Sequence, residues 1–412
     1  MRYLCNMIDP KYIQIADYTY DLPQERIAKY PLENRDESKL LVFRNNSIND
    51  SFFKDIQYFI PENSIIVSNN SRVIPARIFF KKETGAVIEI FCLEPRQPSD
   101  YPTNFAQTRT CVWKCIVGNL KKWKEGLLVR PFEYENQRFE LKAEIIKNSL
   151  EELLVSFSWN SDEICFSQVI ENVGALPIPP YLERETEISD YTQYQTIYSK
   201  IKGSVAAPTA GLHFTEQVIS KLTKSGSQFL ELTLHVGAGT FKPVKAEKIG
   251  NHEMHGEHFS IKKETIKTLC NNQNIIAVGT TTARTLESLY WIGVSLIQNS
   301  TKCIDGVFYI DQWQPYEQKT FISKKESYEN ILEYLDKQKQ DILDCKTSII
   351  IVPGYQFKVI DQLITNFHQP HSTLILLVAA FVGDSWKTIY NHALENNYRF
   401  LSYGDSSLLF KQ

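Results

Sequence analysis

The feature that most constrains the fold is a change of hydrophobic period within the 412-residue chain. Between residues 76 and 166, apolar and polar residues alternate in short runs such as 86–91, 138–143 and 153–157. On both sides of this stretch, β-branched runs are each followed by a polar or glycine-rich turn and then by a helical pattern. Period-two alternation is typical of antiparallel hairpins, whereas strands that alternate with helices indicate a largely parallel sheet. The order of the patterns predicts one α/β domain interrupted by an inserted β-barrel.

The predicted fold class is therefore α/β, with a three-layer α/β/α domain, a mixed and largely parallel sheet, and a small antiparallel β-barrel inserted into it. We assign residues 1–72 and 170–412 to the discontinuous α/β domain and residues 73–169 to the barrel. Residues 295–347 are polar and rich in lysine, with a helical pattern near 328–343. They are expected to form a surface insertion within the α/β domain.

Composition and charge exclude several classes of protein. With 43% hydrophobic residues, 17 Gly and 17 Pro, the chain is neither disordered nor collagen-like. The longest apolar run, residues 374–382, is well short of the roughly 20 residues that cross a bilayer, and Asp9 and Pro10 precede any apolar leader segment. We expect no contact with membranes and a cytoplasmic monomer. The net charge of −3 does not mark a nucleic-acid binder, although residues 72–147 carry a basic surplus that includes Lys121, Lys122 and Lys124.

Four predicted turns follow predicted strands, at 68–72, 237–240, 279–282 and 353–355. Ligands of parallel sheets bind beyond the carboxyl ends of the strands, so these turns are expected to meet at one crevice. Arg72, Arg77 and Arg284 lie in or near them, and a guanidinium group can bind a carboxylate or phosphate through two hydrogen bonds. Each arginine alone is also compatible with an ordinary surface position.

Two segments bring histidines to the start of a predicted helix. Residues 205–215 place His213 before a helix that Thr215 can cap, and residues 366–373 do the same for His368. Free amides at helix starts favour anions, but an ordinary turn with a capping histidine explains the first segment equally well. In the strand 229–236, alternation puts His235 on the polar face, where a buried structural histidine is the alternative.

The densest ionisable cluster spans residues 252–258 and contains His252, His255, Glu257 and His258. A zinc motif of the H-E-x-x-H type needs histidines four apart, whereas these are three apart and Gly256 weakens a helix. We therefore expect no metal and favour general acid–base chemistry, with a metal-dependent hydrolase as the alternative. A dinucleotide motif fails at Lys242, and no P-loop occurs.

Ordered blocks across most of the chain resemble the S-adenosylmethionine:tRNA ribosyltransferase-isomerase family of queuosine biosynthesis. These blocks are Leu22-Pro23-x-x-Arg26-Ile27-Ala28 with Arg35 and Ser38-Lys39-Leu40, Arg72-Val73-Ile74-Pro75-Ala76-Arg77, Leu176-Pro177-Ile178-Pro179-Pro180-Tyr181, Ala207-Pro208-Thr209-Ala210-Gly211-Leu212-His213-Phe214-Thr215, His235-Val236-Gly237-Ala238-Gly239-Thr240-Phe241, His252-x-x-His255-x-Glu257, Gly279-Thr280-Thr281 with Arg284, Pro353-Gly354-Tyr355 and Thr365-Asn366-Phe367-His368.

The resemblance implies an enzyme that uses S-adenosylmethionine as a ribosyl donor and co-substrate, with no further cofactor. The implied acceptor is 7-aminomethyl-7-deazaguanine at the wobble position of a tRNA anticodon, and the implied products are epoxyqueuosine-tRNA, adenine and methionine. The candidate catalytic residues are His213, His235, His252, His255 and Glu257. The candidate substrate-binding residues are Arg72, Arg77, Thr209, Phe214, Gly237, Gly239, Phe241, Thr281, Arg284, Tyr355, Asn366 and His368.

Three departures from the family pattern concern the acceptor more than the donor. Asn70 replaces an aspartate that usually follows Asn69, Ala175 replaces a bulkier polar residue, and the chain is longer than usual within 295–347. They motivate a further alternative, a tRNA-binding paralogue without catalytic activity.

Overall fold

The computed structural model describes residues 9–149, 152–237, 239, 244–298, 300–318 and 320–412. The described strands are β1 (Lys39–Arg44), β2 (Ser47–Phe52), β3 (Ile65–Asn69), β4 (Ser71–Val73), β5 (Arg77–Lys81), β6 (Val87–Gln97), β7 (Thr110–Gly118), β8 (Leu128–Tyr134), β9 (Gln137–Asn148), β10 (Leu153–Trp159), β11 (Gly174–Ala175), β12 (Ile201–Ser204), β13 (Gln228–Leu234), β14 (Glu257–Lys262), β15 (Ile275–Val278), β16 (Lys302–Ile304), β17 (Val307–Ile310), β18 (Ile342–Thr347), β19 (Gln362–Asn366) and β20 (Ser406–Phe410).

The described α-helices alternate with the strands mainly in the second half of the chain. They are α1 (Tyr101–Phe105), α2 (Phe166–Val173), α3 (Asp190–Gln193), α4 (Glu216–Lys224), α5 (Lys263–Asn271), α6 (Thr280–Ile297), α7 (Gln314–Glu317), α8 (Lys324–Gln338), α9 (Thr373–Val382) and α10 (Ser385–Glu395). As the sequence predicts, the Thr215 hydroxyl caps α4. The Ser372 hydroxyl caps α9.

The fold is mixed α/β and centres on an eleven-stranded mixed sheet. Its strand order is β16-β17-β18-β14-β13-β3-β15-β19-β20-β1-β2. The central strands β13, β3, β15 and β19 are parallel to their neighbours within this block. Both strands that flank the block, β14 and β20, run antiparallel to it. A parallel arrangement therefore holds at the centre, where strands are followed by helices, and gives way to mixed pairing outside.

Helices cover both faces of the central strands, because successive side chains of a strand point to opposite sides. In β3, Ile65 and Val67 pack in the core that contains Leu286 and Leu289 of α6. Ile66 between them packs in a second core with Val218 and Leu222 of α4. The nearly continuous apolar character of β3 and β15 follows from this burial on both faces.

A second, seven-stranded antiparallel sheet forms a curled half-barrel with strand order β11-β5-β6-β7-β10-β9-β8. Its curvature brings β8 back towards β5, where the Arg130 guanidinium donates to the carbonyl of Phe79 at 3.0 Å. The concave side encloses a separate core with Trp113, Phe157 and Phe166. The alternating runs at 86–91, 138–143 and 153–157 lie in strands of this sheet, except that Ala86 precedes β6.

Segment 295–347 differs from the expected surface insertion, because it completes the main sheet and its core. Strand β18 pairs with β14 and with β17. Tyr328, Ile331 and Leu335 of α8 are fully buried beside α6. The lysines and glutamates of α8 cover only its outer face. The segment is polar in composition because α8 is amphipathic, not because it lies outside the core.

The apolar run 349–352, which the sequence predicts to be a strand before the turn at 353–355, is not a strand in the structure. It follows β18 as buried irregular chain rather than as a strand. The expected turn at 353–355 consequently lies at no strand end.

Within the described residues, no single helix combines the length and apolar composition needed to cross a membrane. Helices α9 and α10 pass that test only as a pair, with a 113° bend between them. In this protein Leu377, Val378 and Phe381 of α9 pack in the main core.

Candidate active site

A cleft with an empty volume of about 750 Å³ opens beyond the carboxyl ends of β13, β15 and β19. Residues directly after these strands line it, together with the 3₁₀ helix Thr209–His213. This main cavity is lined by Tyr181, Ala206, Ala207, Pro208, Thr209, Ala210, Val236, Gly279, Thr280, Thr281, Thr365, Asn366, Phe367, His368, Gln369, Ser372, Leu374, Leu401 and Ser402. Such a crevice is the expected ligand position in a parallel α/β sheet.

The turn between β15 and α6 brings a helix start to the cavity. Gly279 adopts φ +89°, a conformation that residues with a side chain rarely adopt, and this turn reverses the chain directly into α6. Thr280 and Thr281 then line the cavity in the first helical turn. The free amides and the dipole of an 18-residue helix favour negative charge at this position.

One helical turn further along α6, Arg284 forms a buried ion pair with Glu257 of β14. The Arg284 Nη1 and Glu257 Oε2 atoms are 2.6 Å apart, and Arg284 Nε donates to the carbonyl of Ile349 at 3.0 Å. The His255 Nε2 atom lies 3.5 Å from the other carboxylate oxygen, Oε1. The His255 side chain is 35% exposed, whereas that of Glu257 is fully buried. A fixed carboxylate thus faces a partly exposed imidazole.

The charge state of Glu257 follows from its neighbours. Burial alone would raise the pKa of this carboxyl, but Arg284 and then His255 lower it to about 2. Glu257 is therefore ionised at neutral pH and cannot donate a proton. It can orient His255 and stabilise the positive charge of a protonated imidazole.

Gly237 and Gly239 lie against the His255 ring. A Cβ atom at Gly237 would come within 3.3 Å of His255 Cδ2, and one at Gly239 would clash with the ring. The absence of side chains at both positions therefore allows the loop after β13 to approach the imidazole. Phe241 of the same loop lies outside the described residues.

His213 is buried between two hydrogen-bond partners. Its Nδ1 atom is 2.8 Å from the Ser38 hydroxyl, and its Nε2 atom is 3.3 Å from Asn366 Nδ2. Burial, followed by the nearby Arg399, lowers the pKa of His213 to about 3. The imidazole is neutral at physiological pH, and it reaches the main cavity only through Asn366.

His235 belongs to the contact between the two sheets. Its ring stacks on Tyr101 of the half-barrel, with centroids 3.9 Å apart and an interplanar angle of 18°. Burial, followed by His258, lowers the pKa of His235 to about 3. Gly203 leaves room for this pair, because a Cβ atom there would clash with both rings.

The two remaining candidate histidines differ in position. His368 lines the main cavity, and its Nε2 atom is 3.0 Å from the Thr365 hydroxyl. Burial lowers the pKa of His368 to about 3. His252 is half-buried, and burial followed by His255 lowers its pKa as well.

Several candidate residues lie away from the main cavity. Arg72 is exposed on β4, and Arg77 pairs with Glu89 at 2.5 Å within the half-barrel. The Phe214 ring is fully buried and packs edge-on against Phe53 in the second core. The Tyr355 hydroxyl donates to Glu287 at 2.7 Å, also in the interior. By contrast Thr209, Thr281, Asn366 and His368 line the cavity together.

A smaller cavity, with an empty volume of about 280 Å³, was not predicted. It is lined by Pro31, Leu32, Arg35, Ser38, Gln193, Leu212, His213, Arg399, Ser402, Tyr403 and Gly404. Arg35 and Ser38 belong to a sequence block that resembles the family, and this resemblance is the only sequence feature that points to them as site residues. Their spacing alone could not place them beside residues some 360 positions later in the chain.

The cluster at 252–258 does not converge on a metal position. In β14, Glu257 points towards Arg284, and the neighbouring His258 points to the opposite face of the strand. Among the described residues, no group of three or more His, Cys, Asp or Glu side chains is arranged to hold a metal ion.

Comparisons with known proteins identify relatives of this chain. A family model described as "Queuosine biosynthesis protein" matches residues 15–409. The chain is 37% identical over 406 residues to the S-adenosylmethionine:tRNA ribosyltransferase-isomerase of Natranaerobius thermophilus, covering 96% of this chain and 99% of the relative. It is 36% identical over 405 residues to the protein of the same name from Thermotoga petrophila, covering 96% and 100%. A crystal structure of S-adenosylmethionine tRNA ribosyltransferase from Thermotoga maritima is 29% identical, with a TM-score of 0.44 and coverage of 96% and 100%.

Proposed function

Because the chain belongs to the queuosine biosynthesis protein family, we propose that it is an S-adenosylmethionine:tRNA ribosyltransferase-isomerase. It transfers and isomerises the ribosyl group of S-adenosylmethionine onto 7-aminomethyl-7-deazaguanine at the tRNA wobble position. The products are epoxyqueuosine-tRNA, adenine and methionine. Relatives of this name match the chain over 96% of its length.

The observation that carries the proposal is the Glu257–Arg284 ion pair with His255 beside it, one helical turn from cavity-lining Thr281. Loss of a proton from the carbon beside a sulfonium requires a positioned base, and departure of adenine requires a proton or hydrogen-bond donor. Of His255, Glu257 and Arg284, only His255 has a partly exposed side chain, so His255 moves the proton. Glu257 holds the ring in place and stabilises its charged form, as the carboxylate of a catalytic triad does.

The neutral histidines have a different role in this scheme. His213 and His368 have pKa values lowered to about 3, so they cannot act as acids at neutral pH. They position substrate groups in the main cavity by hydrogen bonds, His368 directly and His213 through Asn366. The base of a single-stranded anticodon loop can enter such a cavity without melting a duplex.

The protein's wider organisation is part of the same proposal. The main domain is a three-layer α/β/α unit formed by residues 1–72 and 170–412, and residues 73–169 form a barrel that contacts tRNA. Helices on both faces of the central strands support the layers. We place the enzyme in the cytoplasm as a monomer, with S-adenosylmethionine as co-substrate and no metal.

Release of free adenine tests the function. Purified protein is incubated with S-adenosylmethionine and tRNA that carries the precursor base, and adenine is separated and quantified. We expect adenine in amounts that match the modified tRNA, and none when the tRNA is omitted. Adenine at background level would favour the non-catalytic tRNA-binding paralogue, and stoichiometric zinc with hydrolytic activity would favour the metal-dependent hydrolase.

A further inference from the structure

The smaller cavity concentrates positive charge next to the main cavity. It is lined by Arg35 and Arg399 together with His213 and Ser38. No carboxylate is among the described residues that line it. Its lining residues Pro31, Leu32 and Gln193 are half-buried, so the cavity reaches the protein surface.

One of the two guanidinium charges is not neutralised. Arg399 Nη2 lies 3.2 Å from Asp405 Oδ1. Arg35 instead donates to two neutral carbonyls, those of Gln195 at 3.0 Å and Gln193 at 3.4 Å. It forms no ion pair with any residue that the structure describes. A partly buried charge is costly unless an opposite charge compensates it, so Arg35 is arranged for an anion.

Two connections join the smaller cavity to the main one. Ser402 lines both cavities. His213 lines the smaller cavity and is hydrogen-bonded to Asn366, which lines the main one. An anion beside Arg35 therefore lies next to the proposed reaction site without occupying it.

The size of the cavity indicates the kind of anion. The smaller cavity has an empty volume of about 280 Å³, against about 750 Å³ for the main one. The smaller cavity suits one charged group of a ligand that continues outside. We propose that it binds a phosphodiester group of the tRNA strand, adjacent to the nucleotide whose base enters the main cavity. This inference rests on the proposed function and deepens it.

The test couples one protein group to one phosphate. Anticodon stem-loop RNAs with the precursor base receive a neutral methylphosphonate at one phosphate at a time, and their Kd values are measured with the wild-type protein and with Arg35→Gln. We expect one position beside the wobble nucleotide to weaken wild-type binding about tenfold, as for a hydrogen bond to a charged group. In Arg35→Gln the same substitution should have no further effect.

Controls separate the possible sources of failure. Arg35→Lys should recover part of the RNA affinity, and Arg44→Gln, an exposed arginine on β1, should bind like the wild type. Additive losses, or a wild-type protein insensitive to every methylphosphonate, would overturn the inference. Weaker binding of S-adenosylmethionine instead of RNA by Arg35→Gln would also overturn it, because the cavity would then hold the methionine carboxylate. Adenine release by the wild type, measured in parallel, reports separately on the proposed function.

Discussion

Single residues set the electrostatics of the candidate site, beginning with the contrast between its carboxylate and its histidines. Glu257 stays charged in the interior because Arg284 lies 2.6 Å away. His213 lacks a carboxylate partner among the described residues and stays neutral. The groups that lie beside a buried titratable side chain therefore decide whether it is charged.

His255→Asn tests the assignment of proton transfer to the exposed imidazole. Asparagine retains a polar side chain of similar reach but cannot transfer protons, so kcat should fall about 10²–10⁴-fold. S-adenosylmethionine affinity should change little. Adenine release under single-turnover conditions measures the effect, and His392→Asn, which alters a histidine paired with Asp50 far along the chain, is the matched control. Activity within a few-fold of wild type would remove His255 from the mechanism.

The pH dependence of stability tests the buried state of His213. Its pKa is about 3 in the folded protein and about 6.5 when unfolded, so the unfolded state binds more protons between these values. The stabilisation is complete above pH 6.5 and is lost as the pH falls towards 3. Compared with wild type, His213→Gln should lose about 2 kcal/mol less free energy of unfolding between pH 7 and pH 5. Urea titrations at both values measure this, and identical losses would show that the pKa of His213 is not lowered in the folded protein.

Asn70 shows how a departure from the family pattern fits its surroundings. Its amide donates to Glu231 Oε2 at 3.1 Å and its Oδ1 accepts from the Thr233 hydroxyl at 2.8 Å. An aspartate here would face the carboxylate of Glu231. The substitution is thus explained by packing on the neighbouring strand rather than by the main cavity.

Residue types in the site were predictable, but their grouping was not. The sequence marks His255 and Glu257 by their dense ionisable cluster and Arg284 by its place near a predicted turn, and the fold brings the three together. Arg72 and Arg77 occupy equally suitable sequence positions, yet one is exposed and the other pairs with Glu89. Whether an arginine points to a cavity depends on strand register and on distant partners, which a single sequence does not contain.

At the scale of elements, α6 links the cavity, the ion pair and the core. Thr281, Arg284 and Glu287 follow at intervals of three residues and share one side of the helix. Glu287 is fully buried, and its carboxylate accepts from the backbone N–H groups of Lys358, Val359 and Ile360 and from the Tyr355 hydroxyl. Burial raises the pKa of Glu287, and these donors oppose that effect. The carboxylate therefore fixes the loop that leads into β19.

Glu287→Ala should destabilise the protein strongly. It leaves several buried donors without a partner at about 1–3 kcal/mol each, so we expect a loss of about 3–5 kcal/mol in the free energy of unfolding. Glu333→Ala removes an exposed carboxylate from α8 and should stay within about 0.5 kcal/mol of wild type. Denaturant unfolding of both variants provides the comparison. Equal stabilities would mean that the loop does not depend on Glu287.

Elements with a clear period were predicted best. Alternation identified β6, β9 and β10, and β-branched runs identified β3, β13 and β15. The sequence favours a surface insertion for the segment that contains α8, because this helix has more charged residues than buried ones. Run 349–352 has the composition of a buried strand, but composition cannot distinguish a strand from buried irregular chain.

At the scale of the whole molecule, the two sheets meet beside the site. Lys346 of β18 pairs with Glu94 of β6 at 2.8 Å, and His235 stacks on Tyr101. Both contacts lie next to Glu257, because Lys346 pairs with His258 across the strands and the His235 N–H donates to the His258 carbonyl. Under the proposed function, the half-barrel would therefore contact tRNA next to Glu257.

Charge reversal at the tip of the half-barrel tests whether this sheet contacts tRNA. Lys121 and Lys122 are exposed in the 3₁₀ helix Leu120–Lys122. Each lysine that neutralises a phosphate adds about 0.7–0.9 to the slope of log affinity against log salt. Replacing both with Glu should therefore weaken tRNA binding and lower that slope by about 1–2, while S-adenosylmethionine binding is unchanged.

The matched control separates a local contact from the effect of overall charge. Lys337→Glu with Lys339→Glu changes the net charge equally at the exposed end of α8. If the half-barrel binds the tRNA, the control variant should have the wild-type slope of log affinity against log salt. Equal losses in both double variants would instead assign the effect to long-range repulsion, since that depends on total charge and is screened beyond about 10 Å at 0.1 M salt. The salt titration thus distinguishes a tRNA-binding face from a solvated one.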